Sequence, residues 1–265
     1  MAVHAHPDDE ATSTGGILAR YAAEGIRTVL VTCTNGELGD APGGIKPGEP
    51  GHDEAAVVAL RTEELGESCR ILGITHLERL GYRDSGMVGW PSNDAPGAFW
   101  HVPVPTAAAP LAGLLERYQP QVVVTYDPNG FYGHPDHIQA HRITLAALDA
   151  ARSGARLYYP TIRRSRLGAF RERLASAGVE PPDVDESEFG SPDEDIAATV
   201  DCREQAAAKR DALAAHKSQQ DNLFFLHFGL EAFTEMFGRE DFVWGRARDR
   251  PAELQDDLFA GLPGR

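Results

Sequence analysis

Short β-branched apolar runs alternate with stretches of helical spacing through the first 160 residues. Residues 1–6 and 27–33 read as strands. The second is apolar along most of its length, which suits a strand buried on both faces of a parallel sheet. Between them, Ile17, Leu18, Tyr21 and Ala22 form a stripe that predicts a helix over 16–24, or one begun a turn earlier, with Gly25 as its stop. A longer helix is predicted over 53–72, with Val58, Leu65, Cys69 and Leu72 on one face, and then a strand over 75–80. A helix over 107–118 leads into 121–126, the most β-branched run in the chain and the expected central strand. Pro135 sits at a first helical position, and that helix runs to about residue 152. Strands alternating with helices in this way predict an α/β fold with a mostly parallel, doubly wound sheet.

The intervening segments are less regular. Residues 40–51 form a Gly/Pro loop, and 88–106 a proline-interrupted loop whose Trp90, Phe99 and Trp100 argue for order. Eight of the 16 residues in 180–195 are acidic, which predicts a solvated excursion. Beyond it come a strand over 196–202 and a helix over 204–219. The aromatic tail, Phe224, Phe225, Phe228, Phe233, Phe237, Phe242 and Trp244, is expected to pack on the main body. We therefore expect a catalytic core over 1–160 and a C-terminal extension over 161–265 that packs on it and completes the substrate cleft.

Composition narrows the function. The chain of 265 residues suffices for one large domain. It has no run of 18 apolar residues and no basic-then-apolar leader, so neither a membrane span nor a signal peptide is expected. Cys33, Cys69 and Cys202 form no CxxC pair and read as reduced thiols of a cytoplasmic protein. A formal net charge of −15 disfavours nucleic acid and anionic lipid as partners and suits a neutral or cationic small substrate.

Chemistry concentrates in two places. The first strand runs into His6-Pro7-Asp8-Asp9-Glu10, where crowded carboxylates call for a cation. The strand at 121–126 leads to His134-Pro135-Asp136-His137. Ligands of open parallel sheets bind beyond the carboxyl ends of the strands, so both clusters should face one crevice. The ligand set then reads His6, Asp9 and His137, two imidazoles and a carboxylate, a set that binds zinc and leaves a position for water. His137 and His141, spaced i and i+4, are an alternative pair. The same triad serves iron(II) oxygenases, but Asp8 beside a ligand provides the base that hydrolysis needs. A non-catalytic sugar- or metal-binding protein is the third reading.

These two motifs, with Tyr82-Arg-Asp84-Ser-Gly-Met87, Ala214-Ala-His216-Lys-Ser-Gln219 and Leu258-Phe-Ala-Gly261, resemble the LmbE-like (PIG-L) N-deacetylases. The likeness is closest to the mycothiol branch, which comprises the GlcNAc-inositol deacetylase and the mycothiol S-conjugate amidase. The resemblance implies a Rossmann-like fold and a zinc-dependent hydrolase, with Fe2+ as the alternative ion. Its substrate would be a small amino sugar carrying an N-acyl group, and a homo-oligomer stays open. It further implies His6, Asp9 and His137 as ligands and Asp8 as general base. His134 would be a protonated oxyanion stabiliser oriented by Asp136, and Tyr132 a mobile tyrosine near the substrate carbonyl. Arg61 and Asp84 would bind sugar hydroxyls. Ser13 stands where the similar deacetylases carry serine and the conjugate amidases lysine. An N-acetylglucosaminyl natural-product intermediate is a further candidate substrate.

Overall fold

The computed structural model describes residues 1–176, 190–246 and 250–263. One sheet of seven strands runs through it: β1 (Ala2–His4), β2 (Val29–Thr34), β3 (His76–Tyr82), β4 (Val122–Val124), β5 (Arg156–Thr161), β6 (Ile196–Asp201) and β7 (Arg239–Trp244). Their order across the sheet is β3-β2-β1-β4-β5-β7-β6. The first five are parallel, with Val3 opposite Val31 and Ala2 opposite Val124. β7 joins β5 antiparallel, and β6 joins β7 antiparallel. The run at 121–126 thus lies at the middle of the sheet, as its composition predicts. β5 and the antiparallel edge carry part of the C-terminal half into the same sheet.

Helices cover both faces. Leu111, Leu115, Ile143 and Ala147 pack with Val3, Val31 and Val123 on one side, while Leu18, Leu65 and Cys69 pack with Leu30 on the other. The expected helix over 16–24 is Gly15–Ala23, and a short separate helix, Asp9–Ser13, precedes it with a break at Thr14. Thr14 leaves helical angles, and its hydroxyl lies 2.8 Å from His4 Nε2. Helix Glu54–Leu72 starts at Asp53, whose carboxylate accepts from the N–H groups of Ala55 and Ala56. Its inward face holds Val57 rather than Val58, together with Arg61, Glu64 and Ser68. The helix expected over 204–219 ends at Ala215, because His216 turns its ring into the interior.

The loop at 88–106 is built of two 3-10 turns before helix Val104–Tyr118. In the tail, Phe228, Phe233 and Phe242 are buried, whereas the Phe224 side chain lies outside the described residues. So do residues 180–189 of the acidic segment.

Glu240 on β7 ties this tail to the site-bearing half. It accepts from the N–H groups of Gly16 and Ile17 (2.8 and 3.0 Å), and Lys209 Nζ donates to it at 2.6 Å. Both charged side chains are buried. Lys209→Met leaves Glu240 held by the helix N-terminus alone, and we expect a loss of about 3 kcal/mol in urea unfolding.

Candidate metal centre and active site

The sheet order reverses between β1 and β4, and the crevice beyond their carboxyl ends is where such folds hold ligands. His6, Asp8 and Asp9 follow β1, Asp84 follows β3, and Tyr126 and His134–His137 follow β4. All of these except Asp8 are buried, and Asp8 is half-buried.

Ring nitrogens of His6, His134 and His137 lie within 4.8 Å of one another, and so do donor atoms of His6, Asp84 and Asp136. Asp9 lies against two of the histidines. Its Oδ2 is 3.4 Å from His6 Nδ1, and its Oδ1 is 3.5 Å from His137 Nε2. The two contacts use different oxygens of Asp9, so they place its carboxylate beside both rings without fixing one shared centre. His137 Nδ1–H donates to Gly130 O (3.2 Å), which leaves Nε2 with its lone pair. That Nε2 is buried with no hydrogen-bond partner, the state expected of a nitrogen shaped for a metal. Gly130 has φ +65°, and a Cβ there would stand 2.9 Å from His137 Cβ, so this carbonyl position requires glycine. Burial lowers the His137 pKa to about 4. Burial opposes ionisation of Asp9, but His137 and His6 outweigh it and hold its carboxyl well below the usual range. Burial opposes protonation of His6, but Asp84, Asp136 and Asp9 outweigh it and raise its pKa well above the ordinary imidazole value. A metal on His6 would therefore displace a proton, while the His137 imidazole and the ionised Asp9 are donor types that suit a divalent metal.

Tyr126 carries no role in the sequence reading, yet it organises the centre. Its hydroxyl donates to Asp9 Oδ2 (2.7 Å) and accepts from Ala5 N–H (2.9 Å), and its ring stacks on His137 at 4.1 Å. His4 Nδ1 lies 3.3 Å from the same hydroxyl, so His4 supports the site through Tyr126. Tyr126→Phe leaves the Ala5 N–H and an Asp9 lone pair unpaired. We expect about 1–3 kcal/mol lost in thermal unfolding and roughly 10–100-fold weaker metal binding in a competing-chelator titration.

Asp8 has φ 117° and ψ −25°, a conformation that costs a residue with a side chain on the order of 1–3 kcal/mol. The surroundings hold it there. Arg61 donates to Pro7 O, the carbonyl of the peptide that precedes Asp8, and Asp8 N–H donates to Glu10 Oε2 at 2.9 Å. Asn222 Nδ2 donates to Asp8 Oδ2 (2.7 Å), and Arg61 Nη2 lies 3.1 Å from the same oxygen. Burial raises the Asp8 pKa to about 6 against the pull of Arg61. Arg61 itself is buried. Besides Pro7 and Asp8 it donates to Gly36 O (2.8 Å), so its terminal nitrogens are engaged with the protein.

Asp136 departs from expectation. Its carboxylate accepts from His6 Nε2 (3.2 Å) and from Ser85 N–H (2.8 Å), not from His134. His134 caps helix Pro135–Ala150, and its Nδ1 accepts the Asp136 main-chain N–H at 3.1 Å. Burial and the neighbouring rings of His6 and His137 push the His134 pKa well down. This histidine is therefore neutral and carries its proton on Nε2, not the imidazolium the sequence led us to expect.

Asp84 accepts from Gly86 N–H (2.8 Å) and lies 3.6 Å from His6 Nε2. The half-exposed Tyr132 ring stands edge-on to His137 at 5.1 Å. His141 donates to Tyr126 O (2.9 Å) and takes no place in the donor cluster. Ser13 ends the short helix that begins at Asp9, and its hydroxyl is 3.5 Å from Thr12 Oγ1.

Residues 1–148 match the family model described as PIG-L, GlcNAc-PI de-N-acetylase. The chain belongs to the PIG-L family. Full-length relatives agree. A 1D-myo-inositol 2-acetamido-2-deoxy-alpha-D-glucopyranoside deacetylase of Acidothermus cellulolyticus is 43% identical, with 99% of this chain and 94% of the relative aligned. The protein of that name from Salinispora arenicola is 40% identical, over 99% of this chain and 91% of the relative. Among solved structures, the N,N'-diacetylchitobiose deacetylase of Pyrococcus horikoshii aligns with a TM-score of 0.59 at 21% identity, covering 92% of this chain and 82% of that one. The 4-carboxy-2-hydroxymuconate hydratase GalB of Pseudomonas putida aligns at 0.60 and 19% identity, over 95% and 98% of the two chains. Two chemistries on one scaffold mean that these neighbours speak for the Rossmann-like fold and not for the reaction. Among the described residues, no helix is long and apolar enough to cross a membrane.

Proposed function

We propose that the protein hydrolyses the N-acetyl amide of a GlcNAc-containing small molecule of the inositol glycoside type, with a divalent metal, zinc first, held by His6, Asp9 and His137. The observation that carries the proposal is the half-buried carboxyl of Asp8, raised to about 6, placed beside a donor cluster whose His137 Nε2 has no partner. The metal, when bound, polarises the amide carbonyl and acidifies water.

The side chains account for the rest. Asp8 takes a proton from the attacking water, whose oxygen bonds to the carbonyl carbon. His134, neutral with its proton on Nε2, donates a hydrogen bond to the oxyanion that develops there. The C–N bond breaks as Asp8 returns its proton to the departing amine, giving acetate and the free amino sugar. Asp136 fixes the ring of His6 through Nε2. Tyr132, at the mouth, bounds the carbonyl site. Asp84 and Ser13 are assigned to substrate hydroxyls on the family resemblance. Arg61, engaged with Pro7 and Asp8, serves the sugar through the base it orients. The reading also divides the chain into a catalytic core over 1–160 and an extension over 161–265, supported by the reach of Asn222 to Asp8.

The test is amine release over a panel of N-acetylglucosaminides, the inositol glycoside among them, with and without a chelator. Release that needs metal and is fastest on the inositol glycoside supports the proposal. Metal-loaded protein that frees no amine from any member of the panel sinks it.

A further inference from the structure

Glu10 lies outside the roles given to its neighbours, and so does His216, 206 residues away. Both are fully buried, and His216 Nε2–H donates to Glu10 Oε1 at 2.7 Å. The Ser68 hydroxyl donates to the same oxygen. The other carboxylate oxygen of Glu10 accepts the Asp8 N–H. The Pro7–Asp8 peptide is therefore gripped at both polar ends, its carbonyl by Arg61 and its N–H by Glu10. That peptide sets the left-handed conformation of Asp8, and so the direction in which its carboxylate leaves the backbone.

The grip has two sources. Arg61 and Ser68 come from helix Glu54–Leu72. His216 comes from the C-terminal half and is joined by successive turns to Asn222, since Gln219 N–H donates to His216 O and Asn222 N–H to Gln219 O. Ser218, between them, is bound to Glu64 of that same helix through its N–H (2.8 Å) and its hydroxyl (2.7 Å). One short segment thus reaches the base from two sides, with His216 behind its peptide and Asn222 on its carboxylate.

We propose that Glu10 and His216 are a buried positioning pair that aims the Asp8 carboxylate, and that Asn222, from the same segment, fixes its rotation. This rests on Asp8 acting as the base. The pair touches no substrate in this arrangement and works through the geometry of one peptide.

The experiment compares Glu10→Ala, Glu10→Gln, His216→Ala and Asn222→Ala in the metal-loaded, full-length protein. Glu10→Ala and His216→Ala are expected to lower kcat by about 10–100-fold, with KM within twofold and metal content near wild type. Glutamine can still accept the Asp8 N–H, so Glu10→Gln should recover most of the rate. A double variant, Glu10→Ala with His216→Ala, should be no slower than Glu10→Ala alone, because the two residues act in series. Asn222→Ala is expected to cost a smaller factor, again in kcat. Wild-type kcat in His216→Ala, or effects that multiply in the double variant, would overturn the proposal. If Glu10→Ala does not fold, Glu10→Gln against His216→Ala decides the matter.

A crystal structure of His216→Ala supplies a readout independent of turnover. Asp8 leaving the left-handed region supports the inference, and an unchanged Asp8 refutes it. Wild-type protein that frees no amine would instead bring down the functional reading, and the crystallographic test of the grip would stand apart from it.

Discussion

Asp8→Asn is expected to lower kcat by at least about 10²-fold while leaving metal content and KM close to wild type. The substitution is nearly isosteric, and asparagine tolerates the positive φ of this position better than most residues. Its amide oxygen can still accept from Asn222 and Arg61. What it loses is the ability to take a proton, so the rate change reports the base and not the packing. The pH profile supplies the matching test. Burial holds the Asp8 pKa near 6 in the protein without metal, and the positive charge of a bound ion can only lower it. The base works when deprotonated. Activity should therefore be present above the pKa and fall tenfold per unit as pH drops below it, with the acidic limb of kcat/KM at or below pH 6. A limb well above pH 6, or an Asp8→Asn enzyme as fast as wild type, would remove Asp8 from the mechanism.

The contrast between Asp8 and its supports shows what the sequence could and could not disclose. β-branched runs locate β2 and β4, and a short apolar run locates β1, because a parallel strand buried on both faces has little choice of residue. The two acidic–histidine clusters stand out because each groups titratable residues after an apolar strand, the first directly and the second beyond a short loop. Tyr126, Ser68 and His216 leave no such mark. Ser68 and Tyr126 are polar residues with no mark of a role, His216 lies in a family-like stretch that assigns it none, and the part each plays lies in hydrogen bonds to residues 58 to 206 positions away. Arg61, Glu64 and Ser68 are polar residues on the buried side of their helix, where residue type alone would leave them to solvent. Their partners are polar too: Glu64 meets Ser218, Arg61 meets Pro7, Asp8 and Gly36, and Ser68 meets Glu10, and periodicity registers only burial against apolar partners. The partner of Asp136 was missed for a related reason. The family resemblance pointed to His134, but capping folds that ring onto the main chain, and the carboxylate turns to His6 instead.

His137→Ala should abolish tight metal binding and lower amine release by at least about 10³-fold, the loss expected when several kcal/mol of charge stabilisation disappear. The same protein should show no change in melting temperature when metal is added, whereas wild type should rise, because a ligand that binds only the folded state stabilises it by mass action. Chelator treatment of wild type should give the same inactive state, reversed by adding metal back. His141→Ala is the control. His141 shares the helix face one turn on, but its Nδ1–H is committed to Tyr126 O, so this variant should keep full metal content and most of its rate. The pair separates two readings that spacing alone left open. If His141→Ala loses the metal and His137→Ala keeps it, the ligands are misassigned. If both keep it, the partnerless His137 Nε2 must be explained by something other than a metal. Loss in His137→Ala alone leaves that nitrogen as the atom that completes the set with His6 and Asp9, with Tyr126 holding Asp9 in place beneath it.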